Sequence, residues 1–255
     1  MSDQNRPSAA AFLSAARAVL DQVAASQEHT VQTAADLIAK SIRAGGVVQA
    51  FGTGHSECLA MEIAGRAGGL VPTNKIAIRD VVTLGDASRD VLFDPFLERD
   101  PAIAHRLYDL AAPRPEDVFV IASNSGVNGC VVEMAQLVTR HGHKLVAVTS
   151  SKHTAQSASR HPSGLRLIDF ADVVLDNGAP HGDALLPLPS GGGKVCAISS
   201  ISAALLAQMV VAEVVRRLEE AGEQAPVYLS ANVTGGDDHN QRLEARYAGR
   251  LRRCV

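Results

Sequence analysis

The sequence contains no tryptophan, and only three of its 255 residues are tyrosine and six are phenylalanine. This scarcity of aromatic residues, with abundant alanine and valine, suits close packing of helices on a parallel sheet. Cysteine is also sparse, and the four cysteines form no C-x-x-C pair. Neither a disulfide framework nor a zinc ribbon is indicated, and we expect Cys58, Cys130, Cys196 and Cys254 to be reduced core thiols.

Neither sign of charge predominates, since the formal net charge is −3 at pH 7 and no basic block occurs. This balance argues against nucleic acid as the main partner and leaves small molecules as the expected ligands. The first residues, which include Asp3 and Arg6, contain no apolar signal core, so a cytoplasmic location is expected. The length suffices for one large domain whose core needs neither disulfides nor metals.

A long apolar run typical of a membrane span is also lacking. The uncharged stretch 195–212 comes nearest, but three serines (Ser199, Ser200 and Ser202) and Gln208 interrupt it, and no aromatic belt flanks it. We interpret it as a buried helix and a candidate subunit contact.

The N-terminal part is rich in alanine and has apolar residues at helical spacings from Ser8 to Arg43, before Gly45-Gly46. It predicts one long helix or two consecutive ones. We therefore divide the chain into an N-terminal helical extension, residues 1–45, and an α/β domain with a C-terminal helical tail, residues 46–255. The extension either pairs with another copy or packs on its own sheet, and the sequence favours neither.

A short apolar run, 47–51, ends in a loop of small residues and then a helical pattern. This predicts a buried strand whose loop surrounds an anion with backbone N–H groups and hydroxyls at a helix N-terminus. The loop lacks the third glycine and the later acidic residue of a dinucleotide fingerprint, so no cofactor is expected. A tight turn capped by Ser56, without a ligand, is the alternative. The predicted phosphate ligands are Gly52, Thr53, Gly54 and Ser56.

The pattern occurs a second time, which favours a ligand site over a simple turn. An apolar strand at 117–122 runs into a loop of hydroxyls, amides and glycines, and a third strand at 145–149 also ends in hydroxyls. Such a site is rich in donors and uncharged, which suits a phosphate. Because the carboxyl ends of parallel strands meet at one crevice, we expect these groups to converge. The candidates are Ser123, Asn124, Ser125, Gly126, Asn128, Thr149 and Ser150.

Three further regions offer candidates for the sugar side of the site. Glu62 lies seven residues beyond His55, two helical turns along on the same side, and is either a general base or a solvated helix residue. Lys194 and Ser199, at the predicted start of the later helix, either close the site or are exposed. The connection 79–100 is a candidate lid or binding loop, in which Asp86 and Asp90 are expected to be solvated.

In the tail, Asp237 or Asp238 can cap a helix whose first turn contains His239. The positive end of the helix dipole would keep this imidazole neutral and able to transfer protons. For His239 and for His55, a surface histidine without a function is the alternative.

Several of these segments resemble the sugar isomerase (SIS) domain. Residues 51–56, 123–126 and 149–150 are similar to its three phosphosugar-contacting segments, while 66–72 and 235–240, with Asn240, are similar to a bacterial subgroup. The resemblance covers nearly the whole chain from about residue 47. It implies a three-layer α/β/α sandwich with a mostly parallel central sheet, with the phosphate held by the first and second loops.

Members of this family are phosphosugar isomerases, etherases or dehydratases of amino-sugar phosphates, or non-catalytic phosphosugar sensors. The chain departs from the phosphoheptose isomerase branch, because Glu62 replaces a histidine tied to the metal and Arg66 replaces the catalytic glutamate. The resemblance therefore implies no metal and favours a lyase acting on a 6-phosphate such as N-acetylglucosamine 6-phosphate. Glu62 would remove the C2 proton and His239 or His55 would assist ring opening. An isomerase and a sensor are the alternatives, and a homodimer or larger homo-oligomer with shared sites is expected.

Overall fold

The computed structural model of the chain describes residues 6–252. Its strands are β1 (Val48–Gly52), β2 (Thr73–Ile76), β3 (Val118–Ala122), β4 (Lys144–Thr149), β5 (Val173–Asp176), β6 (Ala184–Pro187) and β7 (Lys194–Ala197). Its helices are α1 (Ala9–Arg43), α2 (Glu57–Ile63), α3 (Asp80–Thr83), α4 (Ala102–Ala111), α5 (Gly129–Arg140), α6 (Ser151–Ala155), α7 (Ser199–Glu220) and α8 (Gly236–Ala245).

The first five strands form one parallel sheet in the order β2-β1-β3-β4-β5. Both of its faces are covered, because alternate residues of a strand enter different cores. In β3, Val118 and Val120 pack with residues of α1 and α7, whereas Phe119 and Ile121 pack with residues of α4 and α5. The predicted three-layer α/β fold is confirmed.

The N-terminal part is a single helix, α1, rather than two. Ser8 caps it by accepting a hydrogen bond from the backbone N–H of Ala11, 3.1 Å away. Its apolar face, including Val31 and Ile38, is buried in the same core as Val214 of α7. Of the two alternatives for the extension, packing on its own sheet is therefore observed.

The uncharged stretch 195–212 does not form one helix. Its first residues belong to β7, which pairs antiparallel with β6 in a hairpin that the Gly- and Pro-rich sequence did not suggest. Lys194 consequently lies on this hairpin, exposed, and not at the entry of α7. No helix within residues 6–252 is long and apolar enough to cross a membrane.

The expectation of core thiols is correct for only one of the three cysteines that the structure describes. Cys130 is fully buried, and burial raises the pKa of its thiol, with Asp100 adding to the effect. Cys58 is exposed and Cys196 is half-buried. Cys254 lies outside the described residues, as does Asp3.

Candidate functional site

The site lies where the chain reverses its direction of travel across the sheet. From β1 the chain moves outward to β2 and then returns to place β3 on the other side of β1. The carboxyl ends of β1 and β3 thus flank a topological switch point, the usual place for a ligand in an open parallel sheet. The loops after these strands open into a pocket of about 490 Å³.

We call this the cradle pocket, and it unites six of the predicted phosphate ligands. Those six are Thr53, Ser56, Ser123, Asn124, Ser125 and Asn128. Its remaining wall residues are Glu98, Val127, His153, Ser157, Ala158, Ser159 and Arg160. Both strand-to-helix loops therefore face the same space.

The first loop is shaped by its two glycines. A Cβ on Gly52 would lie 2.4 Å from the carbonyl oxygen of Ser56, so the close return of the chain requires glycine. Gly54 has a φ of +54°, in the left-handed region. The next helical segment is a 3-10 turn, Gly54–Ser56, in which Ser56 makes no side-chain capping bond. These glycines shape the backbone of the loop.

The second loop is closed by its own side chains. The Oγ of Ser123 accepts a hydrogen bond of 3.1 Å from the N–H of Gly126, whose φ is +66°. Asn128 occupies the N-cap position of α5, but its side chain does not cap the helix. The amides at the start of an α-helix lack intrahelical acceptors and favour anions. The N-terminus of α5 therefore lies at the pocket, where Asn128 is part of the wall.

The pocket is charged, contrary to the expectation of an uncharged site. The Oε1 of Glu98 accepts a hydrogen bond of 2.9 Å from Nδ2 of Asn128, and the Nη1 of Arg160 donates one of 3.1 Å to Oδ1 of the same amide. Glu98 also accepts a hydrogen bond from the Thr53 hydroxyl at 3.0 Å. A carboxylate and a guanidinium thus lie on either side of Asn128.

Arg160 is positioned by a buried pair between the next residue, His161, and Glu133 of α5. The Nε2 of His161 lies 2.6 Å from Oε2 of Glu133, and both side chains are less than a tenth exposed. His105 of α4 contacts the other oxygen of Glu133 at 2.9 Å. These contacts anchor the segment next to Arg160 onto α5. Among residues 6–252, no group of three or more His, Cys, Asp or Glu side chains is arranged to hold a metal ion.

A histidine that the sequence reasoning missed also lies in the pocket wall. The Nδ1 of His153 is 3.2 Å from Nδ2 of Asn124, and its ring lies 4.9 Å from the ring of His181. Burial lowers the pKa of His153, His181 lowers it further, and Asp183 opposes the shift. Because Nδ1 accepts from the amide, the neutral ring carries its proton on Nε2 and can donate it to a ligand.

Thr149 and Ser150 do not contact the pocket, although they were expected to bind phosphate. Both are fully buried. Thr149 donates to the carbonyl of Asn124 at 3.3 Å, while Ser150 caps α6 and donates to the carbonyl of Ala179 at 2.6 Å. Gly126 packs against Thr149 and has no side chain to contribute. These three residues therefore stabilise the loops and do not line the pocket.

A second, smaller cavity adjoins the first. It is lined by His55 and Ser199 and shares Ser56 and Asn124 with the cradle pocket. The hydroxyl of Ser199 donates to Asp183 at 2.7 Å, in an arrangement that fixes the start of α7. Of the residues predicted for the sugar side, His55 and Ser199 therefore lie next to the phosphate loops.

Glu62 lies in a different, open pocket, with Cys58, Met61 and Arg66. This pocket shares no lining residue with the cradle pocket. Its Oε1 accepts hydrogen bonds from Arg66 and, at 2.7 Å, from Gln208, so neither bond uses Oε2. Within one chain, the structure does not bring Glu62 into the cradle pocket.

The two tail residues are engaged in local structure. The Nε2 of His239 lies 3.0 Å from the carbonyl oxygen of Val227. The amide of Asn240 bonds both the N–H and the carbonyl of Leu229, at 3.0 and 2.9 Å. Neither residue lines the cradle pocket, and exposed Lys194 does not line it either.

Two signals in the sequence pointed towards the missed residues. Glu98 belongs to the connection 79–100, which was predicted to be a lid or binding loop. Asp86 of that connection is solvated as expected, with an exposed ion pair to Arg106. His153 and Arg160 follow β4, whose carboxyl end was expected to reach the same crevice. The sequence pattern indicates only the hydroxyls at that end, whereas the charged side chains beyond them form the wall.

Comparison with known proteins places the chain in a described group. A family model described as SIS domain matches residues 11–150. The UPF0309 protein of Listeria monocytogenes is 38% identical over 243 residues, which are 94% of this chain and 97% of that protein. The UPF0309 protein of Streptomyces avermitilis is 36% identical over 247 residues, 94% of this chain and 95% of that protein.

Solved structures show the same fold at much lower identity. A phosphoheptose isomerase from Francisella tularensis is similar with a TM-score of 0.54 and 14% identity, covering 80% of this chain and 95% of that one. A phosphoheptose isomerase from Neisseria gonorrhoeae has a TM-score of 0.51 and 18% identity, with the same coverage.

Proposed function

Since the chain belongs to the SIS-domain family and to the bacterial UPF0309 proteins, we propose that it is an enzyme acting on a sugar phosphate. The proposed substrate is an amino-sugar 6-phosphate such as N-acetylglucosamine 6-phosphate. The proposed reaction is a lyase reaction that removes the substituent at C3.

The cradle pocket is the observation that carries this proposal. Two donor-rich loops, the N-cap residue Asn128 of α5 and Arg160 line one space. Phosphate is bound well by hydroxyls, backbone amides at a helix N-terminus and a guanidinium. Ser123, Ser125 and Asn128 are the proposed phosphate ligands, with Arg160 as the cation. The adjoining cavity at His55 and Ser199, which shares Ser56 and Asn124 with the cradle pocket, marks the proposed sugar side.

The chemistry needs a base for the C2 proton, and we assign Glu62 to this role. The aldehyde at C1 of the open-chain sugar makes this proton acidic. When Glu62 takes it, the electron pair forms the C2–C3 double bond and the C3–O bond breaks. A histidine donates the proton with which the hydroxyl leaves as water. Of the two histidines predicted from the sequence, His55 lines the cavity next to the loops, and His239 is the second candidate.

The separation of Glu62 from the cradle pocket favours a site shared between two copies. Glu62 lines an open pocket that shares no residue with the cradle pocket of the same chain. The side chain of Met61, which also lines that open pocket, is 55% exposed. We propose a homodimer or larger homo-oligomer in which Glu62 of one copy faces the phosphate loops of another.

An isomerase is the second candidate, because two solved proteins with this fold are named phosphoheptose isomerases. Isomerisation shares the first step, removal of the C2 proton, and differs in returning a proton to C1. In this chain Glu62 replaces the histidine tied to the metal in the phosphoheptose isomerase branch, and Arg66 replaces its catalytic glutamate. These two replacements favour elimination. Products therefore distinguish the two reactions.

The test is incubation with N-acetylglucosamine 6-phosphate, followed by ultraviolet absorbance and mass spectrometry. A lyase produces an unsaturated sugar with a new chromophore and the loss of one water. Glu62→Gln is expected to lower kcat by roughly 10²–10⁴-fold. Glu220→Gln is the matched control, because it also removes an i,i+4 pair with arginine from an exposed helix face.

Each other outcome has a distinct meaning. A ketose product without a chromophore supports the isomerase. Binding without any product supports a phosphosugar sensor. Full activity in Glu62→Gln contradicts the role of Glu62 as the base.

A further inference from the structure

One carboxylate joins the two loops of the cradle pocket. The Oε2 of Glu98 accepts a hydrogen bond of 3.0 Å from the hydroxyl of Thr53, in the first loop. Its Oε1 accepts one of 2.9 Å from Asn128, in the second loop. The Glu98 carboxylate therefore accepts the hydrogen bond that the Thr53 hydroxyl of the first loop would otherwise donate to a phosphate.

The backbone that carries Glu98 is held firmly. The preceding residue, Leu97, is buried in the core with α4 and α5. The carbonyl of the following residue, Arg99, approaches α5 so closely that a Cβ on Gly129 would lie 2.1 Å from its oxygen. Asp100 then caps the next helix by accepting a bond of 2.9 Å from the N–H of Ala102. Glu98 is thus a fixed part of the pocket wall.

The charges divide the pocket into two regions. A phosphate placed beside Thr53 would meet the Glu98 carboxylate at short range, where like charges repel and solvent screens little. On the other side of Asn128, the Arg160 guanidinium and the positive end of the α5 dipole favour an anion. A phosphate is therefore favoured at the second loop and disfavoured at the first.

We propose that Glu98 determines ligand specificity: it keeps the phosphate out of the first loop and accepts a hydrogen bond from a hydroxyl or N–H group of the sugar. This inference rests on the proposed function only in taking the ligand to be a sugar phosphate. It assigns Thr53 to the sugar side of the pocket, as the donor that orients Glu98. Carboxylates accept strong hydrogen bonds from such groups, and each Glu98 oxygen, which accepts one bond from Thr53 or Asn128, can accept a second from the sugar.

The experiment measures equilibrium binding to the full-length wild-type protein and to Glu98→Gln by calorimetry. The two probes are inorganic phosphate and N-acetylglucosamine 6-phosphate. Removal of the charge is expected to tighten phosphate binding about threefold or more, because the repulsion is lost. The affinity ratio of sugar phosphate to phosphate is expected to fall about tenfold, because a charge-assisted hydrogen bond is lost. Asp86→Asn is the matched control, a fully solvated carboxylate of the same connection.

Two results would overturn the inference. One is an unchanged affinity ratio, which means that Glu98 makes no contact with the sugar. The other is unchanged or weaker phosphate binding in Glu98→Gln with a wild-type melting temperature, which means that Glu98 does not exclude the phosphate. A variant that melts early is replaced by Glu98→Asp, which keeps the charge and shortens the reach, and is expected to lower only the affinity for the sugar phosphate.

Binding also separates this inference from the proposed function. If the wild-type protein binds the sugar phosphate with the expected dependence on Glu98 but forms no product, the lyase proposal fails and the role of Glu98 stands. If it binds neither probe, both are wrong.

Discussion

Arg160 donates a hydrogen bond of 3.1 Å to Asn128, the residue that precedes α5. This bond connects the segment after β4 to the helix that follows β3. It places a permanent positive charge beside the N-terminus of α5, where the helix dipole already favours an anion. An anion in the cradle pocket is therefore favoured on the Arg160 side of Asn128.

The first prediction concerns this charge. Arg160→Ala is expected to lower the affinity for a sugar phosphate roughly 10- to 100-fold, the usual effect of losing a hydrogen bond to a charged group. Arg160→Lys should recover part of the loss, since lysine keeps the charge but not the planar geometry of the guanidinium. Calorimetric titration gives the affinities. Arg89→Ala, an exposed arginine outside the pocket, is the control, and equal losses in both variants would contradict a local role.

Much of this architecture follows from local sequence. The strands predicted at 47–51 and 117–122 are observed as β1 (Val48–Gly52) and β3 (Val118–Ala122), within one residue at each end. The convergence of the two loops followed from parallel strands alone. The hairpin β6–β7 was missed because its strands are short and lie within a segment rich in glycine and proline, without a clear alternating pattern.

The charged wall of the pocket depends on contacts between residues far apart in sequence. Glu98 reaches the loops only because Arg99 packs on Gly129, and Arg160 only because His161 pairs with Glu133. Thr149 shows the opposite case, since its hydroxyl at a strand end bonds the neighbouring loop and is buried. Periodicity and spacing carry no information on such contacts.

The second prediction tests the close approach at Gly129. Gly129→Ala introduces a Cβ 2.1 Å from the carbonyl oxygen of Arg99, so the connection and α5 must separate. We expect a loss of about 1–3 kcal/mol in the free energy of unfolding and weaker sugar-phosphate binding, because Glu98 and Asn128 both shift. Denaturant unfolding and calorimetry measure the two effects.

Gly85→Ala is the matched control for that variant. Its Cβ would lie 2.6 Å from the carbonyl of Val81, at the other end of the same connection, away from the pocket. It should cost comparable stability and leave ligand affinity unchanged. Equal losses of affinity in both variants would mean that the position of Glu98 does not matter for binding.

The third prediction is a pH dependence of stability that arises at His143. Burial lowers its pKa below the usual value near 6.5, partly offset by a hydrogen bond to the carbonyl of Asp117. A group with a depressed pKa in the folded state stabilises the fold fully above its unfolded pKa, and this contribution is lost as the pH falls. The melting temperature should therefore decrease as the pH falls below about 6.5.

His143→Gln is expected to flatten this part of the profile, measured by circular dichroism at a series of pH values. His29→Gln replaces an exposed histidine of α1 and should keep the wild-type slope. If both variants show the same slope as the wild-type protein, the pH dependence arises from other groups.

The last prediction tests whether the active site is shared, by mixing two impaired variants. Arg160→Ala weakens substrate binding roughly 10- to 100-fold and Glu62→Gln removes the proposed base, so at a substrate concentration below the wild-type Kd each variant alone should keep about a tenth of the wild-type activity or less. If the two residues come from different copies, a mixed dimer contains one site with both defects and one with neither. After subunit exchange, an equal mixture should recover about a quarter of the wild-type activity, because half of the dimers are mixed and half of their sites are intact.

Arg160→Ala mixed with the double variant cannot form an intact site and should show no more activity than Arg160→Ala alone. Absence of recovery in the first mixture, with exchange verified by mass spectrometry, would place both residues in one chain's site and contradict the shared arrangement.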